Sequence, residues 1–231
     1  MTRVLQAARL HLIHPAMMLG IPWLVVSISF AINLATWYLT PAGEDDGGFT
    51  GGIGAFYVTV LVIFVQVVTQ ILPFAMGVSL SRRTFYLGTA LVAVLQALAS
   101  GVAISALVSV ENATGGWGRE MDFWAPGILE VGNPVLQVFA SAAPLLAFSF
   151  VGVGIGIVHQ RWGQLGTWGL VVGSMLVLGA LAVLITWLEA WRAVGDWFAD
   201  QSAATLTIGL PVAVALIVAV VSYPGIRRIV P

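Results

Sequence analysis

The chain has 231 residues, of which 59% are apolar and only 8% are charged, and its net charge is −1. A soluble globular protein carries charge on about a quarter of its residues, so this composition excludes an ordinary water-soluble domain. The absence of cysteine excludes disulfides and thiolate chemistry, and the absence of lysine among the nine basic residues excludes a Walker loop and a Schiff base.

The first element is a short amphipathic helix. In residues 1–15, Leu5 and Ala8 are predicted to lie on an apolar face of a helix, and Arg3 and Arg9 on a polar face. A proline ends this helical pattern. We expect this helix to lie along the inner interface of a membrane.

Six continuous apolar runs follow the first helix. A helix needs about 20 apolar residues to cross a hydrocarbon core of about 30 Å. The runs lie at 16–38, 53–78, 84–110, 133–158, 165–188 and 203–223. They are too long for barrel strands and do not alternate as such strands do. Residues 1–231 are therefore predicted to form a single transmembrane domain, an all-α membrane protein with six transmembrane helices.

The arginines indicate an orientation for these spans. One side carries Arg3, Arg9, Arg82, Arg83, Arg161, Arg227 and Arg228, whereas only Arg119 and Arg192 fall on the other. The positive-inside rule then predicts a multi-pass protein of the cell (plasma) membrane with both termini in the cytoplasm. All ten acidic residues fall in the three loops assigned to the outer side.

The outer loops differ in character. Residues 41–52 are glycine-rich and predicted to form a flexible turn, and residues 111–132 are long enough for a small surface helix or cap. Residues 189–202 mix aromatic and charged side chains and are predicted to lie flat on the outer leaflet as an amphipathic helix.

No acidic or basic residue falls within the core of any predicted span. Proton and sodium coupling generally uses buried ionisable groups, so secondary active transport is disfavoured, although backbone carbonyls are able to bind sodium. His11 and His14 have a spacing that suits a metal, but no third ligand lies nearby, so we expect these two and His159 to be interfacial. Neither a catalytic site nor a metal site is predicted.

Uncharged polar residues do occur inside the spans. In span two, Thr59, Gln66, Thr69 and Gln70 fall near one helical face. Exposing an amide to hydrocarbon costs several kcal/mol, so this stripe faces either another helix or a water-filled path. Two hypotheses stay open, interhelical hydrogen bonding and a translocation path or dimer interface. The candidates for the second are Asn33, Thr59, Gln66, Thr69, Gln70, Gln96, Ser100 and Gln137.

The turn between spans two and three has an unusual composition. Arg82 and Arg83 are adjacent, are set among small hydroxyl residues and are followed by Phe85 and Tyr86. Ser81 is predicted to cap the helix of span three. The two aromatic side chains either anchor that helix at the interface or face a partner.

Three segments of the chain resemble a small bacterial type-2 ABC transporter permease. They are the helix at 2–14, the segment 72–89 and the segment 156–166, within the six-span layout. The resemblance implies a dimer of permease subunits, of the same or a related chain, each docked to a separate cytoplasmic ATPase that holds ATP and Mg²⁺. It implies a docking surface, the ATPase-coupling turn, formed by Ser79, Leu80, Ser81, Arg82, Arg83, Thr84 and Phe85. It also implies that spans two and five line the dimer interface and the path.

The expected function is that of a permease subunit of an ATP-driven ABC exporter. Its cargo would be lipophilic or amphipathic, as in multidrug or peptide efflux or lipid export, and would move by alternating access. The chain would be no enzyme and hold no cofactor. Expected partners are the ATPase, the second permease and membrane lipids, but not nucleic acid, because the positive charges do not cluster. The alternatives are an ATPase-independent pore or carrier and a non-transporting membrane assembly subunit.

Overall fold

The computed structural model describes residues 2–11, 15–41 and 50–227, and this part of the chain is helical, without strands. The helices are α1 (Thr2–His11), α2 (Ile21–Leu39), α3 (Gly54–Gln66), α4 (Leu72–Gly77), α5 (Arg82–Ala113), α6 (Pro134–Trp187), α7 (Trp191–Asp200) and α8 (Leu210–Arg227). Single π-helical turns, Ala16–Gly20, Val67–Ile71 and Thr205–Gly209, precede α2, α4 and α8. Residues 12–14 of the predicted first helix, with His14, lie outside the described residues, as do residues 42–49 of the turn predicted at 41–52 and Arg228.

Five helices of the described chain are long and apolar enough to cross a membrane: Ala16–Leu39, Gly54–Gly77, Arg82–Ala113, Pro134–Trp187 and Thr205–Arg227. The predicted all-α architecture is therefore confirmed. The fourth of these helices has 54 residues and would extend about 81 Å if it were straight. It contains the predicted spans four and five, and Gly163, with φ 62° and ψ −150°, is the non-helical residue that divides it.

The first half of α6 lies at the centre of the bundle and contacts α3, α5 and α8. Glycine and alanine allow these contacts to be close. A Cβ placed on Gly101 of α5 would come within 2.8 Å of the Cβ of Ala142, and one on Gly156 within 2.7 Å of the Cβ of Val68. Because lipid tails are as apolar as leucine, close backbone packing of this kind holds membrane helices together.

The second half of α6 leaves this bundle after Gly163. Leu165 is 84% exposed, Trp187 is 78% exposed, and nearly all the side chains between them are exposed or only partly buried. The predicted fifth span therefore contributes little to the core of the single chain.

The two ends of the bundle differ in charge. We call one the basic end; its described arginines are Arg3, Arg9, Arg82, Arg83, Arg161 and Arg227. The helices are joined there by side-chain hydrogen bonds, since Gln160 donates to the carbonyl of Thr69 at 2.7 Å and Tyr86 donates to that of Ala219 at 2.7 Å. The opposite, acidic end carries Glu111, Glu120, Asp122, Glu130, Glu189, Asp196 and Asp200, together with Arg119 and Arg192.

Residues 114–133, which we call the cap, cover the acidic ends of α2, α3 and α5. Glu111, in the last turn of α5, is only 3% exposed, and its carboxylate holds the cap in place. It accepts hydrogen bonds from the indole Nε1 of Trp117 at 2.8 Å and from the backbone amides of Phe123 at 3.1 Å and Trp124 at 3.2 Å. Three donors thus replace the water that a buried carboxylate loses.

The cap is not a surface helix, because its apolar residues insert between the helices. Met121, Phe123 and Trp124 are buried. The ring of Trp124 lies 5.5 Å from that of Phe30 and 6.4 Å from that of Trp23, two residues that are two turns apart on α2. The cap therefore reaches the middle of the first apolar helix. By contrast, the predicted amphipathic helix in 189–202 is confirmed as α7.

We predict that Glu111→Gln loosens the cap. The amide of glutamine brings two donors towards a site that already contains three, so at least one buried N–H loses its acceptor, which costs about 1–3 kcal/mol. Trypsin cleavage after Arg119, the arginine of the cap, would become about tenfold faster in the purified protein. Asp196→Asn removes an exposed acid from the same end and is the control. Equal cleavage rates in the two variants would contradict the role of Glu111.

Candidate functional site

The turn between α4 and α5 has a tightly hydrogen-bonded backbone. Ser79 adopts the left-handed conformation with φ 62°, and its amide donates to the carbonyl of Met76 at 3.0 Å. The amide of Leu80 donates to the carbonyl of Ala75, also at 3.0 Å. This pair of bonds is the Schellman motif that ends helices, with serine at the position that glycine usually occupies. The turn is therefore short and firmly attached to α4.

Ser81 begins α5 as its N-cap, as predicted. Its hydroxyl oxygen accepts a hydrogen bond from the amide of Thr84 at 3.2 Å. The two arginines occupy the first turn of α5, where Arg83 is exposed and the buried Nε of Arg82 has no partner among the described residues.

The seven residues of the predicted docking surface differ in accessibility. Ser79, Ser81 and Arg83 are exposed, and Leu80, Arg82 and Thr84 are half-buried. Phe85 is only 1% exposed, so its side chain is not available to a partner. The docking role of the other six residues stays a prediction.

α1 packs directly on the start of α5. A Cβ placed on Gly88 would lie 2.8 Å from the Cβ of Ala7 and 3.0 Å from the amide nitrogen of Ala8, so the two helices touch at this glycine. The buried face of α1 consists of Ala7, Ala8 and His11, whereas Leu5 is exposed. The first helix is thus part of the bundle and does not simply rest on an interface.

His11 joins the two helices by hydrogen bonds. Its Nδ1 lies 3.0 Å from the carbonyl oxygen of Ala7 and its Nε2 lies 2.9 Å from the hydroxyl of Thr89 in α5. A carbonyl only accepts, so Nδ1 carries a proton. In the neutral ring Nε2 is an acceptor, and it shares the single hydroxyl proton of Thr89 with the carbonyl of Phe85, which lies 3.1 Å from the same oxygen.

The environment of His11 favours the neutral ring. Its ring packs against Phe85 with 5.4 Å between centroids, and the side chain is 1% exposed. Burial lowers the pKa of His11, and the hydrogen bond to Ala7 opposes that shift in part. The expectation of an interfacial histidine at this position was wrong.

Gln66 and Gln70 line a cavity of about 120 Å³ next to α1, together with His11, Met17 and Met18. Gln96 of α5 approaches from another side, where its Nε2 donates to the carbonyl of Met18 at 3.0 Å. Met18 lies in the π-helical turn Ala16–Gly20. We call α1, residues 78–89 and this cavity the basic-end junction.

The other polar residues of the predicted path lie elsewhere or are already bonded. The hydroxyls of Thr59 and Thr69 donate to the carbonyls of Ala55 and Val65 in their own helix. Asn33 donates to the carbonyl of Ser29 at 2.8 Å near the acidic end.

Gln137 binds the end of the cap, because it accepts from the amide of Val131 at 2.7 Å and donates to the carbonyl of Leu129 at 3.1 Å. Ser100 is buried within α5. Among the eight candidates, the structure therefore brings only Gln66 and Gln70 together at one cavity, and the path hypothesis stays a prediction.

Sequence reasoning assigned no site role to His11 or Glu111. A histidine four residues after Ala7, on the face of α1 that carries its two alanines, was a usable signal for packing against another helix. No signal in the sequence identified Glu111 as buried, because its donors come from the loop that follows. Among the described residues, no three His, Asp or Glu side chains come together as metal ligands. No protein family, curated protein or solved structure matches the chain.

We predict that Gly88→Ala weakens the attachment of α1. The added methyl group would clash with Ala7, and overpacking of this kind costs about 1–3 kcal/mol. The unfolding free energy in mixed micelles would fall by that amount. Gly179→Ala is the matched control, since a Cβ at Gly179 meets nothing within 4 Å and alanine is the better helix former. Equal losses in both variants would contradict the close contact.

We also predict a pH dependence that arises from His11. Because the pKa of His11 is lowered in the folded protein, the unfolded chain binds more protons below the ordinary value of 6.5. The contribution of His11 to the unfolding free energy is therefore fully present above pH 6.5. It is lost as the pH falls below 6.5 and through the lower pKa that His11 has in the folded protein. Between about pH 7.5 and about pH 5.5, the unfolding free energy of the wild type would fall more than that of His11→Gln. Parallel profiles for wild type and His11→Gln would refute the assignment.

Proposed function

We propose that the chain is the membrane permease subunit of an ATP-driven exporter of the type-2 ABC class. In this proposal it forms six spans in the cell membrane, exposes both termini and the basic end to the cytoplasm, and works as a dimer with a second permease. A separate cytoplasmic ATPase binds the turn before α5 and hydrolyses ATP with Mg²⁺. The cargo is lipophilic or amphipathic.

The observation that carries this proposal is the architecture of the basic-end junction. An exposed turn bearing two arginines is fixed at one side by the Schellman motif of α4 and at the other by the Ser81 cap of α5. α1 packs against the same end of α5 through Gly88 and His11. A turn whose backbone is hydrogen-bonded to the helices on both sides transmits a push to α5, whereas a flexible loop would absorb it.

The charge distribution supports the same function. Among the described residues, the one buried acid of the apolar helices is Glu111 at the acidic end of α5, and its carboxylate is already bonded to the cap. The middle of these helices therefore holds no ionisable group that would couple cargo to protons, and an external source of work is needed. Positive side chains at the turn suit a partner surface with acidic groups, and they steer its approach. Closure of the ATPases would then switch the permease dimer between inward-open and outward-open arrangements.

The test is purification of the tagged chain from its native membrane. A Walker-motif ATPase at about one copy per permease is expected with the wild type. Arg83→Glu and the double variant Arg82→Glu/Arg83→Glu would lose it, because each reversed charge at a desolvated contact costs several kcal/mol. The matched control Arg119→Glu/Arg192→Glu changes the charge equally at the acidic end and would retain it.

Thermal unfolding of each purified variant separates loss of docking from loss of folding. Undiminished ATPase recovery with folded Arg82→Glu/Arg83→Glu would refute the docking assignment. Recovery of homo-oligomers alone from the native membrane would instead favour a pore or carrier, and a stable complex without any ATPase would favour an assembly subunit.

A further inference from the structure

A groove opens at the basic end between the two halves of α6 and the end of α8. Its volume is about 560 Å³. It lies beside Gly163, the non-helical residue that divides α6, and its lining includes residues from both sides of this break. The combination of φ 62° and ψ −150° is one that glycine adopts and side-chain-bearing residues avoid, so the break in α6 depends on this residue.

The walls of the groove are hydrocarbon. They include Val151, Ile155 and Val158 from the first half of α6, Leu170 from the second, and Val218 and Val221 from α8. Ser222 supplies the one hydroxyl of the described lining, and it already donates to the carbonyl of Val218 in its own helix. The interior therefore offers no free polar group, and it suits an apolar chain.

Among the described residues that line the groove, Arg161 is the one cation. Its guanidinium lies 4.6 Å from the centre of the Trp162 ring, and both residues are exposed. No acidic residue occurs in 54–110, 131–188 or 201–227, the stretches that supply the helices around it. No acidic side chain in the described part of the chain pairs with Arg161, so the arginine is available to an anion from outside the chain.

We propose that this groove binds an anionic membrane lipid, with an acyl chain along the apolar walls and the phosphate on Arg161. A guanidinium pairs with phosphate through two parallel hydrogen bonds, and tryptophan favours the depth at which lipid headgroups begin. Basic pockets between membrane helices are suited to such headgroups. Only the leaflet in which the lipid sits depends on the orientation proposed above.

The experiment is native mass spectrometry of the full-length protein in micelles with equal amounts of phosphatidylglycerol and phosphatidylcholine. The wild type would retain phosphatidylglycerol in preference. Arg161→Gln would reduce that preference about fivefold, the effect expected for one arginine near an anionic surface. Arg192→Gln, an exposed arginine at the acidic end, would leave it unchanged. Val221→Trp would fill the groove and reduce retention of both lipids.

Three results would overturn the proposal: equal lipid preference in Arg161→Gln and Arg192→Gln, unchanged retention in Val221→Trp, or a shift from dimer to monomer in Arg161→Gln without loss of lipid. The last would make the groove an interface between copies of the chain. The measurement uses neither ATP nor an ATPase, so its outcome is independent of whether the exporter assignment holds.

Discussion

A charged or titratable group that is buried in a bundle of apolar helices is costly unless it finds a partner within the protein, and this constraint acts at both ends of the molecule. At the acidic end, Glu111 is satisfied only if the cap folds back and supplies three N–H groups. At the basic end, His11 is satisfied only if α1 docks on α5 beside Thr89. In each case a buried group costs several kcal/mol when it is unpaired. The pairing therefore fixes segments that would otherwise have no defined position.

Local features of the fold were predictable from the sequence. The ends of the apolar helices follow from where continuous hydrocarbon stops, so the predicted runs and the observed helices differ by only a few residues at most ends. The Ser81 cap could also be predicted from the sequence, because capping depends on a serine three residues before an amide that needs an acceptor. Patterns of this kind need no knowledge of the rest of the chain.

The features that could not be predicted from the sequence depend on contacts between distant residues or on departures from regular helical geometry. His11 and Thr89 are separated by 78 positions, and no local pattern joins them. The polar stripe of span two was inferred with a constant 3.6-residue period, but the π-helical turn Val67–Ile71 interrupts that period between Gln66 and the residues after it. The predicted loop between spans four and five proved to be a break at Gly163, because a single glycine is enough to redirect a helix when its ψ leaves the helical range.

α5 connects the two ends without a hinge. It runs unbroken for 32 residues, about 48 Å, and contains neither proline nor a π-helical turn. The neighbouring helices are interrupted, since α3 and α4 meet at a π-helical turn followed by Pro73 and α6 contains Pro144 and Gly163. α5 begins at the turn proposed to bind the ATPase, and its last turn contains Glu111, which holds the cap. In the proposed exporter, a displacement of that turn would therefore reach the opposite end through one stiff element, whose last turn is bonded to the cap through Glu111.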